Sequence, residues 1–336
     1  MTDQRLNVSP VSVPSQQSYD GEVFPLILKC ESELATLDEA VAWAKENRED
    51  LLRQCQTHGA ILFRGFPLGE PSEFDQFIAA FEIENFPYEV SLSNAVRTNF
   101  TPRVFSANEA PSTVTIYLHH EMAQTPIFPS KLFFCCWQAA DEGGATPLCR
   151  SDILFEQMQE RFPQFAFDCE TKGLKYTNVM PAANDASSGM GRSWQSTFRV
   201  ETQEQAQARM AEYGYTWGWQ EDGSLRATTP VLPAVREVSP GRKVFFNQLI
   251  AAFCGWKDSR NDPSKSITFG DGQPLDRDTV MEVAKMAEQL TFDLPWQNGD
   301  IALVDNFLVM HGRRTFQGPR KILASLLEMG QHAHAT

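Results

Sequence analysis

Apolar residues recur every three or four positions in five segments of the chain, the spacing that is typical of amphipathic helices. These segments span residues 37–56, 72–81, 151–162, 203–213 and 278–290. Thr36 and Glu39 have the spacing of a capping box, so we expect the first helix to begin there. Ser72 and Asp75 predict a second helix start in the same way.

Shorter runs of apolar, β-branched or aromatic residues predict β-strands. One such run, residues 60–63, lies between glycines at positions 59 and 65 and is expected to be buried. The other runs span residues 113–118, 131–138, 301–304, 307–310 and 322–327. We therefore expect a polar segment over residues 1–20, followed by one domain over residues 21–330. That domain is predicted to be mainly β with flanking helices and an insertion around residues 150–290.

Composition narrows the classes of protein that the chain can represent. Of its 336 residues 42% are hydrophobic, an ordinary globular share, and no apolar run approaches the length of a membrane span. A formal charge of −14 argues against a nucleic-acid partner. Seven cysteines without a CxxC spacing indicate reduced thiols, and the polar N-terminus resembles no secretion signal. The sequence therefore predicts a cytoplasmic protein.

Three of the six histidines are candidates for chemistry. His119 and Glu121 flank His120 at a predicted strand, where alternate side chains project to the same face. An imidazole and a carboxylate so placed, joined by a distant imidazole such as His311, make the facial triad that leaves coordination positions open on iron(II). Taken alone the pattern is weak, because two polar residues on an exposed strand are commoner than a metal site. His120 is expected to face away from the other two and receives no catalytic role.

The surroundings of these residues favour the metal site. His311 is followed by Gly312-Arg313-Arg314, and the other motifs are Gly59-Ala60-Ile61-Leu62-Phe63-Arg64-Gly65-Phe66, Ala107-Asn108-Glu109, His119-His120-Glu121-Met122, Gly143-Gly144-Ala145-Thr146-Pro147, Asp305-Asn306 and Gly318-Pro319-Arg320. In order and spacing they resemble the taurine dioxygenase and clavaminate synthase-like superfamily of iron(II) and 2-oxoglutarate dependent oxygenases. The resemblance extends over most of the chain and implies a double-stranded β-helix, or jelly roll.

By this resemblance His119, Glu121 and His311 are the iron ligands, and Thr146 hydrogen-bonds 2-oxoglutarate. An arginine after the distal histidine would bind the remote carboxylate of 2-oxoglutarate, and Arg320 is preferred because a guanidinium offers two parallel bonds. Lys321 remains an alternative, since strand alternation lets only one of the two face the pocket. Arg320 follows His311 by nine residues, somewhat fewer than is usual in the family.

The resemblance implies oxidation, most simply hydroxylation, of a small metabolite by dioxygen, with succinate and carbon dioxide as co-products. The nearest branch suggests an amino acid or its derivative, free or carrier-bound, in a natural-product pathway. Glu121 disfavours a halogenase, in which a small residue takes the place of the carboxylate. Five polar or aromatic residues are candidates for substrate contacts: Asn108, Glu109, Arg192, Trp194 and Asn247.

Two other classes of protein remain open at this point. One is a catalytically silent jelly-roll binding protein, and the other is a metal hydrolase that uses the same three ligands. Neither assigns a task to Thr146 or Arg320.

Overall fold

The structure is a computed structural model that describes residues 6–93, 95–107, 109–185, 187–188, 190–256, 260–262 and 265–332. Its strands in chain order are β1 (Val8–Pro10), β2 (Gln17–Tyr19), β3 (Glu22–Phe24), β4 (Leu26–Cys30), β5 (Ala60–Arg64), β6 (Phe105–Ser106), β7 (Ile116–His119), β8 (Ile127–Gln138), β9 (Glu142–Gly143), β10 (Thr146–Arg150), β11 (Leu174–Met180), β12 (Thr216–Trp219), β13 (Leu225–Thr228), β14 (Arg236–Ser239), β15 (Arg242–Val244), β16 (Ile267–Phe269), β17 (Thr291–Leu294), β18 (Ile301–Asp305), β19 (Val309–Arg313), β20 (Phe316–Gln317) and β21 (Lys321–Gln331). The helices are α1 (Leu37–His58), α2 (Pro71–Ala79), α3 (Ser151–Arg161), α4 (Pro163–Lys172), α5 (Trp194–Phe198), α6 (Gln203–Glu212), α7 (Leu249–Gly255) and α8 (Arg277–Gln289), with a 3-10 turn at Tyr88–Val90.

Two sheets carry the jelly roll. The larger has the order β1-β4-β5-β18-β8-β21-β6, and the smaller has the order β17-β10-β19-β7. Neighbouring strands are antiparallel except β4 and β5. Strands from both ends of the chain are neighbours in each sheet, so residues far apart in sequence meet. The predicted fold, mainly β with flanking helices in a jelly roll, is confirmed.

The helix α1 and the strand β5 form where local sequence signals predict them. The backbone N–H of Glu39 donates to Oγ1 of Thr36 at 3.3 Å, and the N–H of Thr36 donates to the Glu39 carboxylate at 2.8 Å. This reciprocal capping box satisfies backbone donors that the first helical turn leaves unpaired. At the other end Gly59 has a φ of 76°, a conformation that glycine adopts without steric cost. The chain then enters β5, whose Phe63 is fully buried.

Several predicted boundaries differ from the structure. The helix α2 starts at Pro71, with the capping box formed by Glu70 and Glu73 and not by Ser72 and Asp75. Proline is suited to the first helical turn because that turn needs no N–H from it. β19 covers Val309–Arg313, whereas the pattern predicted residues 307–310, so His311 lies inside a strand. The short helices α4, α5 and α7 were not predicted.

Residues 151–290 lie between two neighbouring strands of the smaller sheet. β10 ends at Arg150, and β17, which begins at Thr291, pairs with it in the register Cys149 to Thr291. The chain therefore leaves the sheet and returns beside its point of departure. Most of the helices and a third sheet, β12-β13-β11-β16, are built in between. Among the described residues, no helix has both the length and the apolar character needed to cross a membrane.

Candidate active site

Two histidines and one glutamate converge at the smaller sheet. Nε2 of His119 lies 3.8 Å from Oε2 of Glu121, and Nε2 of His311 lies 3.5 Å from the same oxygen. The two imidazole centroids are 4.4 Å apart. Within the described ranges, these three residues form the single group whose potential ligand atoms all lie within 4.8 Å of one another. The structure thus brings together the three side chains that the sequence nominated.

Strand pairing accounts for the meeting of the two histidines. His119 is the last residue of β7, and His311 lies directly opposite it in β19. The pairing shifts register immediately afterwards, at Gly312. A side chain at Gly312 would collide with the carbonyl oxygen of Ile116, so glycine permits this close approach of the two strands.

Glu121 reaches the histidines from a turn, whereas the sequence predicted that it would share a strand face with His119. β7 ends at His119, and Glu121 begins the turn that follows. Asn306 holds this turn: its Oδ1 accepts the N–H of Glu121 at 2.8 Å, and its Nδ2 donates to the Glu121 carbonyl at 3.0 Å. Nδ2 also donates to the carbonyl of Pro129 at 2.7 Å. A fully used, buried carboxamide therefore fixes the backbone of the candidate ligand.

The intervening His120 packs into the core, as expected of a residue that is no ligand. It is completely buried, its Nδ1 lies 2.5 Å from the carbonyl oxygen of Asn306, and its ring packs against Phe246. Burial lowers the pKa of His120 to about 3, so the ring is neutral at pH 7.

Burial and neighbouring charges favour the metal-binding protonation states of His311 and Glu121. Burial and the neighbouring His119 lower the pKa of His311 to about 4. Burial by itself would raise the pKa of Glu121, but Arg97 and the two histidines outweigh it and hold that pKa well below its ordinary value. Nδ1 of His119 lies 2.8 Å from the Tyr117 carbonyl, and this contact orients Nε2 toward the other two side chains. Neutral imidazoles and an ionised carboxylate are the forms that bind metal ions.

This donor set fits iron(II). Two imidazole nitrogens and one carboxylate oxygen supply a facial set of ligands and leave further positions for a co-substrate and dioxygen. Glu121 offers one oxygen to the cluster, because its Oε1 accepts a hydrogen bond from Arg97 at 2.9 Å. The arrangement therefore favours a glutamate that binds the metal through Oε2.

One side of the cluster opens into a cavity of about 60 Å³, here called the Thr146 cavity, which both histidines, Glu121, Thr146 and Arg320 line. Arg320 donates from Nε to the Gly144 carbonyl at 2.8 Å, and its Nη2 lies 3.5 Å from Oγ1 of Thr146. Burial and the nearby Arg313 lower the pKa of Arg320 to about 10, which leaves it charged at pH 7. Lys321 is exposed and its ammonium lies over the Trp137 ring, 4.6 Å from the centroid. Of the two basic residues, Arg320 alone lines this cavity.

The other side opens into a cavity of about 130 Å³, here called the Trp256 cavity. His119, Glu121 and Arg97 line it together with Gln124, Gln248 and Trp256. A larger cavity of about 600 Å³ shares Thr115, Ile116 and Tyr117 with the Trp256 cavity but includes none of the three candidate ligands. The volume beside the cluster therefore suits a small molecule.

The four candidates for substrate contacts that the structure describes lie outside both cavities. Arg192 donates to the carbonyls of Ser91, Ser93 and Ser196, so its guanidinium ties backbone segments together. The Trp194 indole donates to the Gly223 carbonyl, and the Asn247 amide donates to the Ala234 carbonyl.

Those bonds commit the polar groups of Arg192, Trp194 and Asn247 to the protein itself. Glu109 is exposed to solvent and lines neither cavity. Asn108 lies outside the described residues.

Sequence reasoning missed three side chains that contact the site. Arg97 binds Glu121, Gln248 donates to the His120 carbonyl, and Trp296 donates from Nε1 to Oγ1 of Thr146 at 2.9 Å. None of the three lies in a motif with a recognised spacing. Asn306 is different, since the Asp305-Asn306 pair belonged to the resemblance and could have directed attention to the Glu121 turn.

A jelly roll with two histidines and one carboxylate around open coordination positions defines a mononuclear, non-haem metalloenzyme. Residues 22–326 match the model of the family described as taurine catabolism dioxygenase TauD, TfdA. The chain belongs to this family of iron(II) and 2-oxoglutarate dependent dioxygenases. The predicted family and enzyme class are therefore confirmed.

Two relatives of similar length match the chain. A clavaminate synthase-like protein of Arabidopsis thaliana is 39% identical over 323 residues, which cover 94% of this chain and 96% of the relative. The dapdiamide synthesis protein DdaC of Enterobacter agglomerans is 26% identical over 286 residues, covering 80% and 82%.

Solved structures share the fold at low sequence identity. PvcB of Pseudomonas aeruginosa superimposes with a TM-score of 0.53 at 15% identity, covering all of this chain and 94% of PvcB. A second PvcB structure, with a TM-score of 0.52 at 12% identity and coverage of 99% and 97%, is described as an Fe, alpha-ketoglutarate dependent oxygenase from an isonitrile synthetic pathway.

Proposed function

We propose that His119, Glu121 and His311 hold iron(II), and that Thr146 and Arg320 bind 2-oxoglutarate beside it. The observation that carries this proposal is a single cavity lined by the three ligand side chains together with the half-buried Arg320 and the Thr146 hydroxyl. Neither a zinc hydrolase nor a silent binding protein needs a charged guanidinium in the same cavity as the metal ligands. When bound, iron(II) and 2-oxoglutarate would activate dioxygen as the oxidant, with two electrons from 2-oxoglutarate, which becomes succinate and carbon dioxide, and two from the substrate.

The protein's own residues then have distinct tasks. Arg320 offers a cation with several donors to the remote carboxylate of 2-oxoglutarate, in a setting where burial strengthens the attraction. Trp296 donates to Oγ1 of Thr146, so the hydroxyl proton of Thr146 is not needed for that bond and can be donated into the cavity. Because Arg97 binds Oε1 of Glu121, Oε2 is the oxygen that faces the histidines.

Anaerobic titration tests this assignment. Iron(II) and 2-oxoglutarate together should give the weak visible charge-transfer band of the chelate, and Glu121→Ala or His119→Ala should abolish it. Glu109→Ala is the matched control, because the exposed Glu109 lines neither cavity and its loss should leave the band unchanged. A folded wild-type protein that shows no band would contradict the proposal and would favour the hydrolase or the silent binding protein.

We further propose that the oxidised substrate is a small metabolite, an amino acid or amino-acid derivative of a biosynthetic pathway, and that hydroxylation is the outcome. Two similar proteins support the biosynthetic setting, since DdaC is a dapdiamide synthesis protein and PvcB belongs to an isonitrile synthetic pathway. The volume of about 130 Å³ beside the cluster supports a small molecule.

Succinate formation measured against an amino-acid library tests the substrate class. Each amino acid should be offered free and as a pantetheine thioester, which separates a free substrate from a carrier-bound one. Stimulation of succinate formation by a non-amino-acid metabolite alone would overturn the substrate class while leaving the iron site intact. Mass analysis of the product distinguishes a gain of oxygen from a loss of two hydrogens.

A cytoplasmic location also remains a proposal. All seven cysteines are free in the described residues, and six of them are buried. Cell fractionation with an antibody against the chain would test it.

A further inference from the structure

A small cavity of about 20 Å³ lies between the turn that carries Glu121 and the inserted third sheet. Asn178 of β11 and Thr197 of α5 line it from the insertion, and Gln124 lines it from the turn. Tyr176, Asn178 and Met180 alternate along β11 and all line the cavity, as a single face of a strand requires. We call this space the Asn178 cavity.

The Asn178 cavity contains an unusual concentration of unsatisfied polar atoms. Oδ1 and Nδ2 of Asn178, Oε1 of Gln124 and Oγ1 of Thr197 are buried without a hydrogen-bond partner among the described residues. The three residues are between 2% and 7% exposed. Buried polar groups are nearly always paired in folded proteins, because an unpaired one loses its bonds to water without replacement. The four atoms are therefore available to a hydrogen-bonding group placed in the cavity, either a water molecule or the end of a ligand.

Other polar side chains of the same cavity are satisfied, so the lack of partners is selective. Oγ1 of Thr229 accepts the N–H of Tyr176 at 3.1 Å, and Oγ1 of Thr125 donates to the carbonyls of Met122 and Ile127. The Tyr176 hydroxyl accepts the N–H of Gln248 at 3.1 Å. These groups stabilise the cavity wall, whereas Asn178, Thr197 and Gln124 remain available.

The Asn178 cavity adjoins the space beside the candidate iron ligands. Gln124 and Trp256 line both the Asn178 cavity and the Trp256 cavity. Gln124 also belongs to the same turn as Glu121. A molecule in the Trp256 cavity can therefore extend past these two side chains into the Asn178 cavity.

The chemistry of the lining restricts what can enter. No side chain around the Asn178 cavity is charged, and burial raises the pKa of Tyr176, which keeps that residue neutral. A carboxylate or an ammonium group would lose its hydration there without a counter-charge. The two carboxamides and the hydroxyl can instead donate to and accept from a neutral group. A volume of about 20 Å³ is close to the space that one water molecule needs, so it admits only the tip of a terminal group and not a whole metabolite.

We propose that Asn178, Thr197 and Gln124 form a specificity subsite that binds the uncharged polar end of the substrate, a primary carboxamide or a hydroxyl. The reacting carbon then lies in the Trp256 cavity beside the iron ligands. This inference rests on the proposed function, since it defines one end of the molecule that the oxygenase oxidises.

Matched amino acids that differ at one end test the subsite. We would compare glutamine with glutamate and norleucine, and homoserine with norvaline, as promoters of succinate formation by the iron-loaded enzyme with 2-oxoglutarate. Within each set the uncharged polar end should give a kcat/KM at least about tenfold higher, since a site built to hydrogen-bond a group rejects analogues without it. A higher kcat/KM for a charged or methyl end, or no stimulation by any member, would overturn the subsite.

Asn178→Leu supplies the decisive variant, because it preserves the size of the side chain and removes both unpaired atoms. The preference for the polar end should fall to within about threefold, while the melting temperature should rise by roughly 1–3 °C, as expected when a binding residue is replaced by an apolar one. A fall in melting temperature, or an unchanged preference, would assign Asn178 a structural role and overturn the proposal.

Thr177→Val is the matched control on the opposite face of β11, where Thr177 pairs with Thr228 at 2.8 Å. It should retain the preference for the uncharged polar end.

The charge-transfer band of the wild-type protein, recorded before any amino acid is added, separates failure of the subsite from failure of the proposed iron and 2-oxoglutarate site. A normal band without a preference for the polar end refutes the subsite alone, whereas a missing band refutes the proposed iron and 2-oxoglutarate site. A crystal structure in which a water molecule still bridges the three side chains beside the bound amino acid would also refute the subsite.

Discussion

Arg97 donates from Nη2 to Oε1 of Glu121 at 2.9 Å, and both side chains are only 6% exposed. The other oxygen of Glu121 faces His119 and His311. The guanidinium also lies 4.8 Å from the centroid of the Tyr88 ring, which holds it in place on its other side. One carboxylate is therefore shared between an arginine that orients it and two imidazoles that complete a metal site.

Arg97→Met is expected to weaken iron(II) binding about 10- to 100-fold, the usual consequence of losing a group that orients a metal ligand. Without Arg97, Glu121 loses the largest charge that lowers its pKa and is free to rotate. Competition with a chromophoric chelator measures the affinity. Arg103→Met is the control, because Arg103 pairs with Asp75 at 3.1 Å and lines neither cavity. Equal affinities for the two variants would contradict a positioning role.

Arg320→Met is expected to weaken 2-oxoglutarate binding by about 100-fold or more while iron(II) affinity stays within about twofold of the wild type. The reason is that Arg320 lines the Thr146 cavity with a charged guanidinium. Lys321→Met is the matched control and should bind 2-oxoglutarate normally, since Lys321 lies over Trp137 at the surface. Anaerobic titration of the charge-transfer band measures the 2-oxoglutarate affinity of the two variants. Competition with a chromophoric chelator measures their iron(II) affinity. If the lysine variant loses the band and the arginine variant keeps it, the two roles are reversed.

Asn306→Asp is expected to lower the free energy of unfolding by about 3 kcal/mol or more, because it buries a charge. It also turns a carboxylate oxygen toward the carbonyl oxygens of Glu121 and Pro129. In the wild-type protein these two carbonyls accept hydrogen bonds from Nδ2 of Asn306. Urea unfolding at pH 7 measures the loss. Asn298→Asp provides the control: Oδ1 of Asn298 accepts the N–H of Ala139 at 2.8 Å, and aspartate retains that acceptor. Similar stability losses in the two variants would refute the role of Asn306 as a clamp.

Acid should remove the stabilisation that Asp152 provides. Its carboxylate pairs with Arg150 at 2.6 Å and with Arg242 at 2.8 Å. Burial by itself raises the pKa of Asp152, but the two arginines outweigh burial and lower it below the ordinary value. A lowered pKa means that the stabilisation is complete above about pH 4 and disappears as the pH falls below that value.

Asp152→Asn should therefore lose about 3 kcal/mol at pH 7, since it leaves two arginines without their partner. The difference from the wild type should shrink as the pH falls from 4 toward 2. Urea unfolding at a series of pH values measures it. Parallel stability curves for the two proteins over that range would show that Asp152 does not supply the pH dependence.

Local signals explain why the first helix and strand could be predicted. The capping box of Thr36 and Glu39 involves residues three apart, and the apolar run at residues 60–63 needs no information from elsewhere in the chain. Boundaries were less predictable where tertiary pairing extends a strand. β19 continues to Arg313 because it pairs with both β10 and β7, and no local property of residues 311–313 indicates this.

The substrate candidates show where composition misleads. Arg192 and Asn247 belong to segments rich in polar and aromatic groups, yet their side chains satisfy backbone carbonyls that packing has buried. A buried carbonyl requires a donor, and a sequence does not reveal which carbonyls become buried. The residues with unsatisfied atoms, Asn178 and Thr197, lie in segments without a recognisable motif.

The sequence by itself was enough to predict His119, Glu121 and His311 as ligands, Thr146 as a partner of 2-oxoglutarate and Arg320 or Lys321 for its remote carboxylate, because the motifs that carry these predictions are short and local. Only the tertiary structure placed Arg320, the residue before β21, in the Thr146 cavity and Lys321 over Trp137 at the surface, since the position of a side chain depends on how its segment packs against its neighbours. The same holds for Arg97 and for the Asn178 cavity. Arg97 lies against Glu121, Tyr88 and Phe105, and the Asn178 cavity lies where the inserted sheet faces the Glu121 turn. Both are relationships between distant segments that no local pattern encodes.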